Sequence, residues 1–460
     1  MEIESMNAPA TAAVAEGGND VLLLRRKLDL LLRTGKLLVE SAADTNRVVR
    51  NMERVAAYLG IPEEKLHIEV NYTMLIVNVS DEAHSYSKFQ KCSGHAVNMT
   101  TISAISRLSW RAIERDYSLD RYEQELEKIA GAPRNYGHWL VACGAGLACG
   151  GFCKLFGGDW PAFLFASLCA FIGFVTRRQC IAFGINHYMS VVLSAFVATC
   201  LAYASTFAVG FSDTPYHPLL ACALFIVPGV PLINFVDDLM DNYLQVGLVR
   251  ATNVMVTVGA MAFGIVSAIR ILSVQEINID KKFSELSMTP HDTYFAYALA
   301  AAIAAMGFSM IFNIPRRLLW VVAVGGIIAV CTRNFVNFDL GYGPVIGSFI
   351  GAFAVSLIAV KAVHIFHVPN HVLTIPSVIP MIPGVLMYRS LFALINMGGV
   401  VGEVTVAVYN GINSALIILA IAIGVAFPNI IARRYIAKDR RRFLERELEL
   451  RRQRGKFIEW

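Results

Sequence analysis

The sequence predicts an α-helical polytopic membrane protein with a small α+β domain at its N-terminus, and three observations lead there. Hydrophobic residues make up 56% of the 460 residues and charged residues only 16%, against about a quarter in an ordinary soluble domain. The mean hydropathy is +0.53. Finally, apolar runs long enough to span a bilayer follow one another from about residue 137 onward, and none occurs before it.

The segment that precedes these runs predicts a short lead and one folded domain. Residues 1–20 predict a disordered lead because they offer few large apolar residues. Residues 21–131 predict a cytoplasmic α+β domain. Its first helical pattern, GKLLVESAADTNRVVRNMERVAAYLGI, ends at Gly60 and Pro62, two residues typical of helix ends.

The same domain should contain a small sheet. KLHIEVNYTMLIVNVS alternates apolar and polar residues and predicts a hairpin that turns near Asn71–Thr73. AHSYSKFQKC predicts a third strand. Two further helical patterns follow, and Ser118 should cap the second.

Ten candidate spans follow the domain, and each approaches the roughly 20 apolar residues that a bilayer requires. Several are short or interrupted, so nine or eleven spans stay open. The ten ranges are 137–156, 160–177, 188–207, 217–236, 250–272, 293–312, 317–332, 344–363, 371–395 and 402–428.

Lys and Arg in the short loops predict the orientation. Residues 433–460 are strongly basic and predict a helical tail in the cytoplasm, and ten spans then place the N-terminal domain there too. The loops assigned to the inside contain Arg177, Arg316 and Lys361, whereas the outside loop TFAVGFSDTPYH has no Lys or Arg. The outside loop SVQEINIDKKFSELSMTPHD is a mild exception.

An internal repeat divides the spans into two groups of five. GFCKLF at 151–156 resembles GFSMIF at 307–312, and VPGVPLIN at 227–234 aligns with IPGVLMYR at 382–389. Five is odd, so a second copy must cross the bilayer in the opposite direction. The pattern predicts a 5+5 inverted repeat, with halves at 137–272 and 293–428, as in many secondary transporters. Chance similarity between Gly- and Phe-rich runs is the alternative.

Each half carries proline and glycine in the middle of its fourth span. Such a break is tolerated in a membrane where the freed backbone groups are buried in protein or face a wet cavity. The amides at a half-helix N-terminus suit a carboxylate. A proline kink that only packs helices is the alternative. The predicted substrate-binding residues are Pro228, Gly229, Pro231, Asn234, Pro380, Pro383, Gly384 and Arg389.

Charged residues near the breaks are candidates for coupling and gating. Arg389 could contact substrate, form a structural ion pair or reach the interface. The aspartates after the first break could carry a coupling proton or end a solvated cytoplasmic helix, and a salt bridge from one of them to Arg389 or Arg177 would form a gate. Arg177 and Arg333 occupy matching positions in the alignment of the two halves, and lipid anchoring is the alternative for these matched arginines. The full set is Asp237, Asp238, Asp241, Arg177 and Arg333.

Other chemistry finds little support in the sequence. His364, His367 and His371 could relay protons, although interfacial packing is the simpler interpretation. The nine cysteines have no regular spacing, so we expect neither a metal site nor a disulfide framework. No nucleotide-binding motif or nucleophile–base arrangement occurs. We therefore expect no enzyme, no cofactor and no nucleic-acid partner.

Three stretches resemble the threonine/serine exporter family: ESAADTNRVVRNMERVAAYLG, VPGVPLINFVDDLMDNYLQVGLVRA and IPSVIPMIPGVLMYRSL. The resemblance runs from about residue 21 to about residue 430. The chain resembles a fusion of N-terminal and C-terminal modules that some relatives keep as two proteins.

The resemblance implies a multi-pass protein of the bacterial inner membrane that exports small polar amino acids, driven by the proton gradient. Its partners would be a small carboxylate substrate (threonine, serine or a dicarboxylate), protons and the lipid bilayer, and a homo-oligomer stays open. Because some two-component relatives are linked to succinate export, a dicarboxylate exporter is the alternative. A membrane enzyme and a channel with a regulatory domain are further alternatives.

Overall fold

The computed structural model describes residues 8–80, 84–209, 212–272, 293–395 and 401–453. Several predicted segments lie wholly or partly outside the described residues. They are the first seven residues of the lead, the first residue of AHSYSKFQKC, residues 210 and 211 of TFAVGFSDTPYH, the outer loop at 273–292 and the last seven residues of the tail. The chain forms two units, each described by itself. One contains Met1–Ala96, Thr101–Ala132 and Ala437–Trp460, and the other contains Val97–Thr100 and Pro133–Ile436.

The N-terminal unit contains the predicted three-stranded antiparallel sheet, in the order β1-β2-β3. The hairpin turns where the sequence predicts, because the Asn71 amide donates to the Met74 carbonyl at 2.9 Å. Alternation on the central strand buries Leu75 and Val77 on one face of the sheet. The strands are β1 (Leu66–Val70), β2 (Met74–Ser80) and β3 (Ser85–Lys91).

Four helices precede residue 131, and their caps follow the sequence. The Ser118 side chain accepts from the Arg121 amide, which confirms the predicted cap of the fourth helix. Gly60 adopts a left-handed φ of 77° after the second helix, as its predicted role as a terminator requires. The helices are α1 (Ala8–Glu40), α2 (Thr45–Tyr58), α3 (Met99–Glu114) and α4 (Leu119–Ala130).

Two features of this region differ from the prediction. Helix α1 begins at Ala8, inside the predicted disordered lead, and its first turns are rich in alanine, the residue with the highest helix propensity. The predicted first helical pattern is interrupted after Glu40. Ala42 has a φ of 60°, and the Asp44 carboxylate accepts from the Arg47 amide at 2.8 Å, so α2 has its own N-cap.

The helical unit contains the predicted spans. Eight described helices are long and apolar enough to cross a bilayer, and two bent pairs bring the number to ten, by length and composition. The prediction of about ten spans is therefore confirmed. The eight lie in α5 (His138–Leu155), α6 (Trp160–Ala182), α7 (His187–Val209), α10 (Leu244–Leu272), α11 (Tyr294–Ile311), α12 (Leu319–Asn334), α13 (Gly343–Phe366) and α16 (Val401–Gln453). The span at α12 includes its flanking turns and extends over Arg316–Asp339.

Each bent pair is the fourth member of its group of five, and the bend is 60° in both. The element order thus repeats, while the opposite orientation of the two halves stays a prediction. The first pair joins α8 (His217–Ala221) and the 3₁₀ turn Leu224–Ile226 to α9 (Gly229–Met240). The second joins α14 (Asn370–Val378) and the 3₁₀ turn Ile379–Met381 to α15 (Gly384–Ile395).

The first helices of the two groups cross at glycine. A Cβ atom at Gly307 of α11 would lie 2.4 Å from the Gly144 carbonyl oxygen of α5. Backbones can approach this closely only where side chains are absent, which is typical of helix packing in membranes.

Candidate functional site

The two predicted breaks have the same local geometry. In the first, the Gly229 amide donates to the Val227 carbonyl at 2.8 Å across Pro228, whose φ of −80° and ψ of 67° are those of an inverse γ-turn. In the second, the Gly384 amide donates to the Ile382 carbonyl at 2.8 Å. Each proline therefore ends one helical arm, and each glycine begins the next.

The two breaks pack against each other. A Cβ atom at Gly229 would lie 2.5 Å from Cδ1 of Ile379, and one at Gly384 would lie 2.9 Å from Cδ2 of Leu224. Only glycine permits this approach without displacing the neighbouring side chain. The proline and glycine of each break therefore have separate tasks, since the proline ends a helix and the glycine lets the other half approach.

A small apolar cavity lies between the breaks. Its volume is about 10 Å³, which is close to the minimum that holds one water. The residues that line it form four pairs in the alignment of the two halves: Phe152 with Phe308, Leu224 with Ile379, Val227 with Ile382, and Gly229 with Gly384. The two phenylalanine rings meet edge to face, with 5.7 Å between their centroids. Equivalent residues meet here, as they would around a two-fold axis between the halves.

A polar stripe runs along α9 away from the cavity. Asn234, Asp237, Asp238 and Asp241 recur at helical spacing and lie on one face. The first three are buried, whereas Asp241 is half-buried. The alternative of a solvated helix end is therefore wrong for Asp237 and Asp238.

The buried aspartates face partners outside the predicted set. The Asp238 carboxylate lies 3.2 Å from Nε of Arg250 on α10, and the two side chains are 1% and 8% exposed. The Asp237 carboxylate lies 3.7 Å from Nδ1 of His371 on α14, with side chains 7% and 8% exposed. The stripe thus joins α9 to its neighbour in sequence and to the second half of the chain.

A buried amide pair extends this region. The Asn370 side-chain amide donates to the Asn429 side chain, which ties α14 to α16. We call six of these residues the inner polar cluster: Asn234, Asp237, Asp238, Arg250, Asn370 and His371.

Sequence reasoning missed Arg250 and assigned His371 no definite role. The sequence alone could have identified Arg250 as a candidate, because it is a charged residue within an apolar segment. The span predicted to begin at 250 begins at Leu244, and the partner in Asp238 lets Arg250 lie inside the helix.

The other predicted residues lie in several places. Arg389 is half-buried on α15, one to two turns past Gly384, in the position that Asn234 has after Gly229. Pro231 lies in the first turn of α9, Pro380 in the second 3₁₀ turn and Pro383 at the second break. Their contact with substrate stays a prediction.

The matched arginines are both half-buried near the ends of α6 and α12. The Arg333 guanidinium donates to the Asn334 side chain at 2.9 and 3.1 Å. In the described part of the chain, the buried Nε atom of Arg177 has no hydrogen-bond partner. The described ion pairs of Asp237 and Asp238 are with His371 and Arg250, so a gate through Arg177 or Arg389 stays a prediction.

Two family models match most of the chain. The model described as "Putative threonine/serine exporter" matches residues 29–272, which is more than half of the chain. The model described as "Threonine/Serine exporter, ThrE" matches residues 297–431. The boundary between the matches falls between the two groups of five spans.

Curated relatives divide into fused and separate forms. The chain is 22% identical to "Threonine/serine exporter" of Corynebacterium glutamicum over 414 residues, covering 88% of this chain and 82% of the relative. It is 25% identical to "Probable succinate transporter subunit YjjP" of Escherichia coli (strain K12) over 242 residues, covering 53% of this chain and 93% of the relative.

No solved structure matches the chain. The sequence resemblance is confirmed by both family matches and by a relative that matches across both halves of the chain. With its eight to ten apolar helices, the chain is a multi-pass membrane protein, and it belongs to the threonine/serine exporter family.

Proposed function

We propose that this protein exports threonine and serine across the bacterial inner membrane in exchange for protons. The observation that carries the proposal is the meeting of two bent helices, one from each half, around a cavity lined by four equivalent residue pairs. Secondary transporters place substrate at the interface of their repeats, among discontinuous helices. The family of the chain and the name of its relative in Corynebacterium glutamicum support the same function.

Alternating access follows from the proposed inverted repeat. Each half has an odd number of spans, so the halves would cross the bilayer in opposite directions and both termini would lie in the cytoplasm. The cavity is too small for an amino acid, so the described state corresponds to a closed crossing. Tilting of one half against the other would widen it toward one face at a time.

The protein would recognise the substrate by its charged ends. The amides at the starts of α9 and α15, with Pro228, Gly229, Pro231, Pro380, Pro383 and Gly384 shaping the turns, would receive the carboxylate, and Asn234 and Arg389 would flank it. The inner polar cluster contains two carboxylates and one arginine, so its formal charge is −1 when His371 is neutral. This negative charge favours a substrate that carries an ammonium group. This preference supports an amino acid over a dianion.

The coupling proton would be carried at the aspartate stripe. Asp237, Asp238 and Asp241 offer carboxylates between the cavity and the predicted cytoplasmic end of α9, while Arg177 and Arg333 would act in gating. A proton and the substrate ammonium would then compete for the same negative charge, which is the basis of an antiporter.

A dicarboxylate exporter is the second candidate. The name of the Escherichia coli relative supports it, as does Arg389, because arginine forms bidentate pairs with carboxylates. A dianion would have to pass the buried aspartates of the inner polar cluster, which makes this the less favoured substrate.

The test is gradient-driven efflux from proteoliposomes loaded with labelled threonine, serine or succinate. We expect efflux of threonine and serine that rises when protons can move inward and collapses with a protonophore. Gradient-dependent efflux of succinate alone would favour the second candidate. Absence of flux for all three would overturn both.

One variant and its matched control test the site within the same assay. The Arg389→Ala variant should lose efflux while folding normally, because the half-buried guanidinium flanks the proposed carboxylate. The matched control is Arg317→Ala, which removes an exposed arginine from the turn before α12 and should keep efflux. Full activity of Arg389→Ala would remove this residue from the site.

A further inference from the structure

The contact between Asp237 and His371 joins the two halves of the chain at one end of the bent helices. Asp237 lies on the arm that follows the first break, and His371 lies on the arm that precedes the second. The distance from Nδ1 to the carboxylate is 3.7 Å, and both side chains are at least nine-tenths buried. Any motion that separates α9 from α14 must separate these two groups.

The distance makes this contact sensitive to charge. At 3.7 Å it exceeds a hydrogen bond, so the attraction between the groups is electrostatic. Imidazole carries a charge only after it takes up a second proton, and it does so within the physiological pH range. The attraction between α9 and α14 is therefore strong when His371 is protonated and much weaker when it is neutral.

The pair also lies on the proposed path. Asp237 is about 12 Å along the α9 axis from Gly229, and His371 is about 18 Å along its own arm before Pro383. Asn234 lies between the pair and the cavity on the same face of α9. A substrate that moved along the stripe would have to pass between the two arms at this level.

Within the described residues, the elements that pack against α14 carry the following charged and titratable groups. On α9, Asp238 pairs with Arg250 of α10. The helices α11, α12 and α13 also pack on α14. Of these, α11 carries Tyr294 and Tyr297 as its titratable groups, and both lie at the start of that helix.

The remaining groups on these helices are also placed by sequence. The turn before α12 carries the exposed Arg316 and Arg317, and α12 itself carries Cys331 and Arg333 near its other end. Helix α13 carries Lys361 and His364 in its last turns and is followed by His367 before the start of α14. Lys361 and His367 are exposed. From α16, the uncharged Asn429 meets α14.

We propose that His371 is a gating residue, whose imidazolium clamps α9 to α14 and closes the proposed cytoplasmic end of the path. This inference rests on the proposed transport function and deepens it. Because the clamp exists only with the proton bound, proton uptake and gate closure are linked, and each favours the other. Acid on that side closes the gate, and alkali releases it. An exporter that admits protons would in this way slow as its own cytoplasmic side became acidic.

A thiol placed behind the gate tests the proposal without any substrate. The reporter is Asn234→Cys in full-length protein whose nine cysteines are replaced by alanine. A membrane-impermeant maleimide is added at each face in turn, at about pH 6 and about pH 8, on either side of the ordinary range of histidine. Labelling rates are compared between backgrounds at the same pH, which cancels the effect of pH on the thiol.

We expect three results with the reagent at the cytoplasmic face. Near pH 8, reporters with and without His371→Gln should label at similar rates. Near pH 6, the reporter that keeps His371 should label about fivefold or more slowly, which corresponds to a coupling of roughly 1 kcal/mol. The control His367→Asn alters an exposed histidine that ends α13 with a left-handed φ of 52°, and it should behave as the parent does.

The outcomes against the proposal are equally definite. Equal labelling near pH 6 with and without His371→Gln would overturn it, as would a change of the same size at both pH values, which indicates a structural effect. If His371→Gln fails to fold, Asp237→Asn removes the other member of the pair and should abolish the same acid protection. Since labelling requires no transport, failure of the efflux assay would overturn the proposed function without deciding this one.

Discussion

At the residue scale, the pair of Asp238 and Arg250 explains how two charges are retained in an apolar region. Their atoms approach to 3.2 Å, and the carboxylate is almost completely buried. Removing charges from water is costly, and the attraction between partners offsets that cost only while both are present. The pair should therefore stabilise the protein less than the loss of either partner would suggest.

We predict that Arg250→Leu destabilises the protein by about 3–5 kcal/mol, because it leaves Asp238 buried without its described partner. The double variant Asp238→Asn with Arg250→Leu should recover most of this loss. The purified single and double variants are heated to a series of temperatures, and size-exclusion chromatography measures the fraction that stays folded at each one. Arg317→Leu, at an exposed site, should change the midpoint little. Equal losses in the single and double variants would argue against the pair.

The sequence predicts part of this site for a physical reason. Proline, glycine and a stripe of acids can be recognised along one chain segment, because helical spacing places Asp237 and Asp238 near Asn234. Partners across helices follow from packing between segments distant in the sequence. Nothing near His371 in the sequence indicates that Asp237 will contact it. The sequence therefore predicted only a possible proton relay for this histidine, without a partner.

At the element scale, the crossing of α5 and α11 depends on missing side chains. A Cβ atom added at Gly307 would lie 2.4 Å from the Gly144 carbonyl oxygen and 2.8 Å from the Ala148 amide nitrogen. Both are backbone atoms, which cannot move aside as a flexible side chain can. The helices would have to separate to admit even one methyl group.

We predict that Gly307→Ala lowers stability by about 1–3 kcal/mol, the usual effect of overpacking, despite the higher helix propensity of alanine. Gly259→Ala on α10 is the matched control, since a Cβ atom there meets nothing within 4 Å. It should raise stability by up to about 1 kcal/mol. Thermal midpoints of the two variants give the comparison. A Gly307→Ala protein as stable as the control would be inconsistent with the crossing.

Elements were predicted well where the local signal is strong. The hairpin at Asn71–Thr73 and the Ser118 cap depend on residues within a few positions of each other, so the sequence suffices. The interruption after Glu40 was missed because its neighbours favour helix, and Asp44 gives the principal signal. The predicted span began at Arg250, whereas helix α10 begins at Leu244. The sequence around Arg250 does not show the contact with Asp238 that lets this charge lie inside the helix.

At the scale of the whole molecule, the two halves meet through equivalent residues. The cavity pairs Phe152 with Phe308 and Gly229 with Gly384, and α5 packs on α11 through the Gly144–Gly307 crossing. The sequence repeat predicts which residues correspond. It could not predict that they would touch, because correspondence is compatible with two halves that fold side by side without a shared interface.

The relatives include a protein that corresponds to only part of this chain. The Escherichia coli relative is matched over 93% of its length yet covers only 53% of this chain, and one family model ends at residue 272 while the other begins at residue 297. A protein similar to one half thus exists separately. Whether the two halves of this chain also assemble without their connection can be tested directly.

We predict that the protein cut between residues 272 and 293 assembles from two co-expressed fragments. A tag on the first fragment should retain the second through purification in mild detergent, because the crossing of α5 and α11 and the packed breaks lie between them. Introducing Gly307→Leu should reduce the recovery of the second fragment, whereas Gly259→Ala should not. Fragments that each reach the membrane but never purify together would show that the halves require the covalent connection, and the packing at the cavity would then be too weak to hold them.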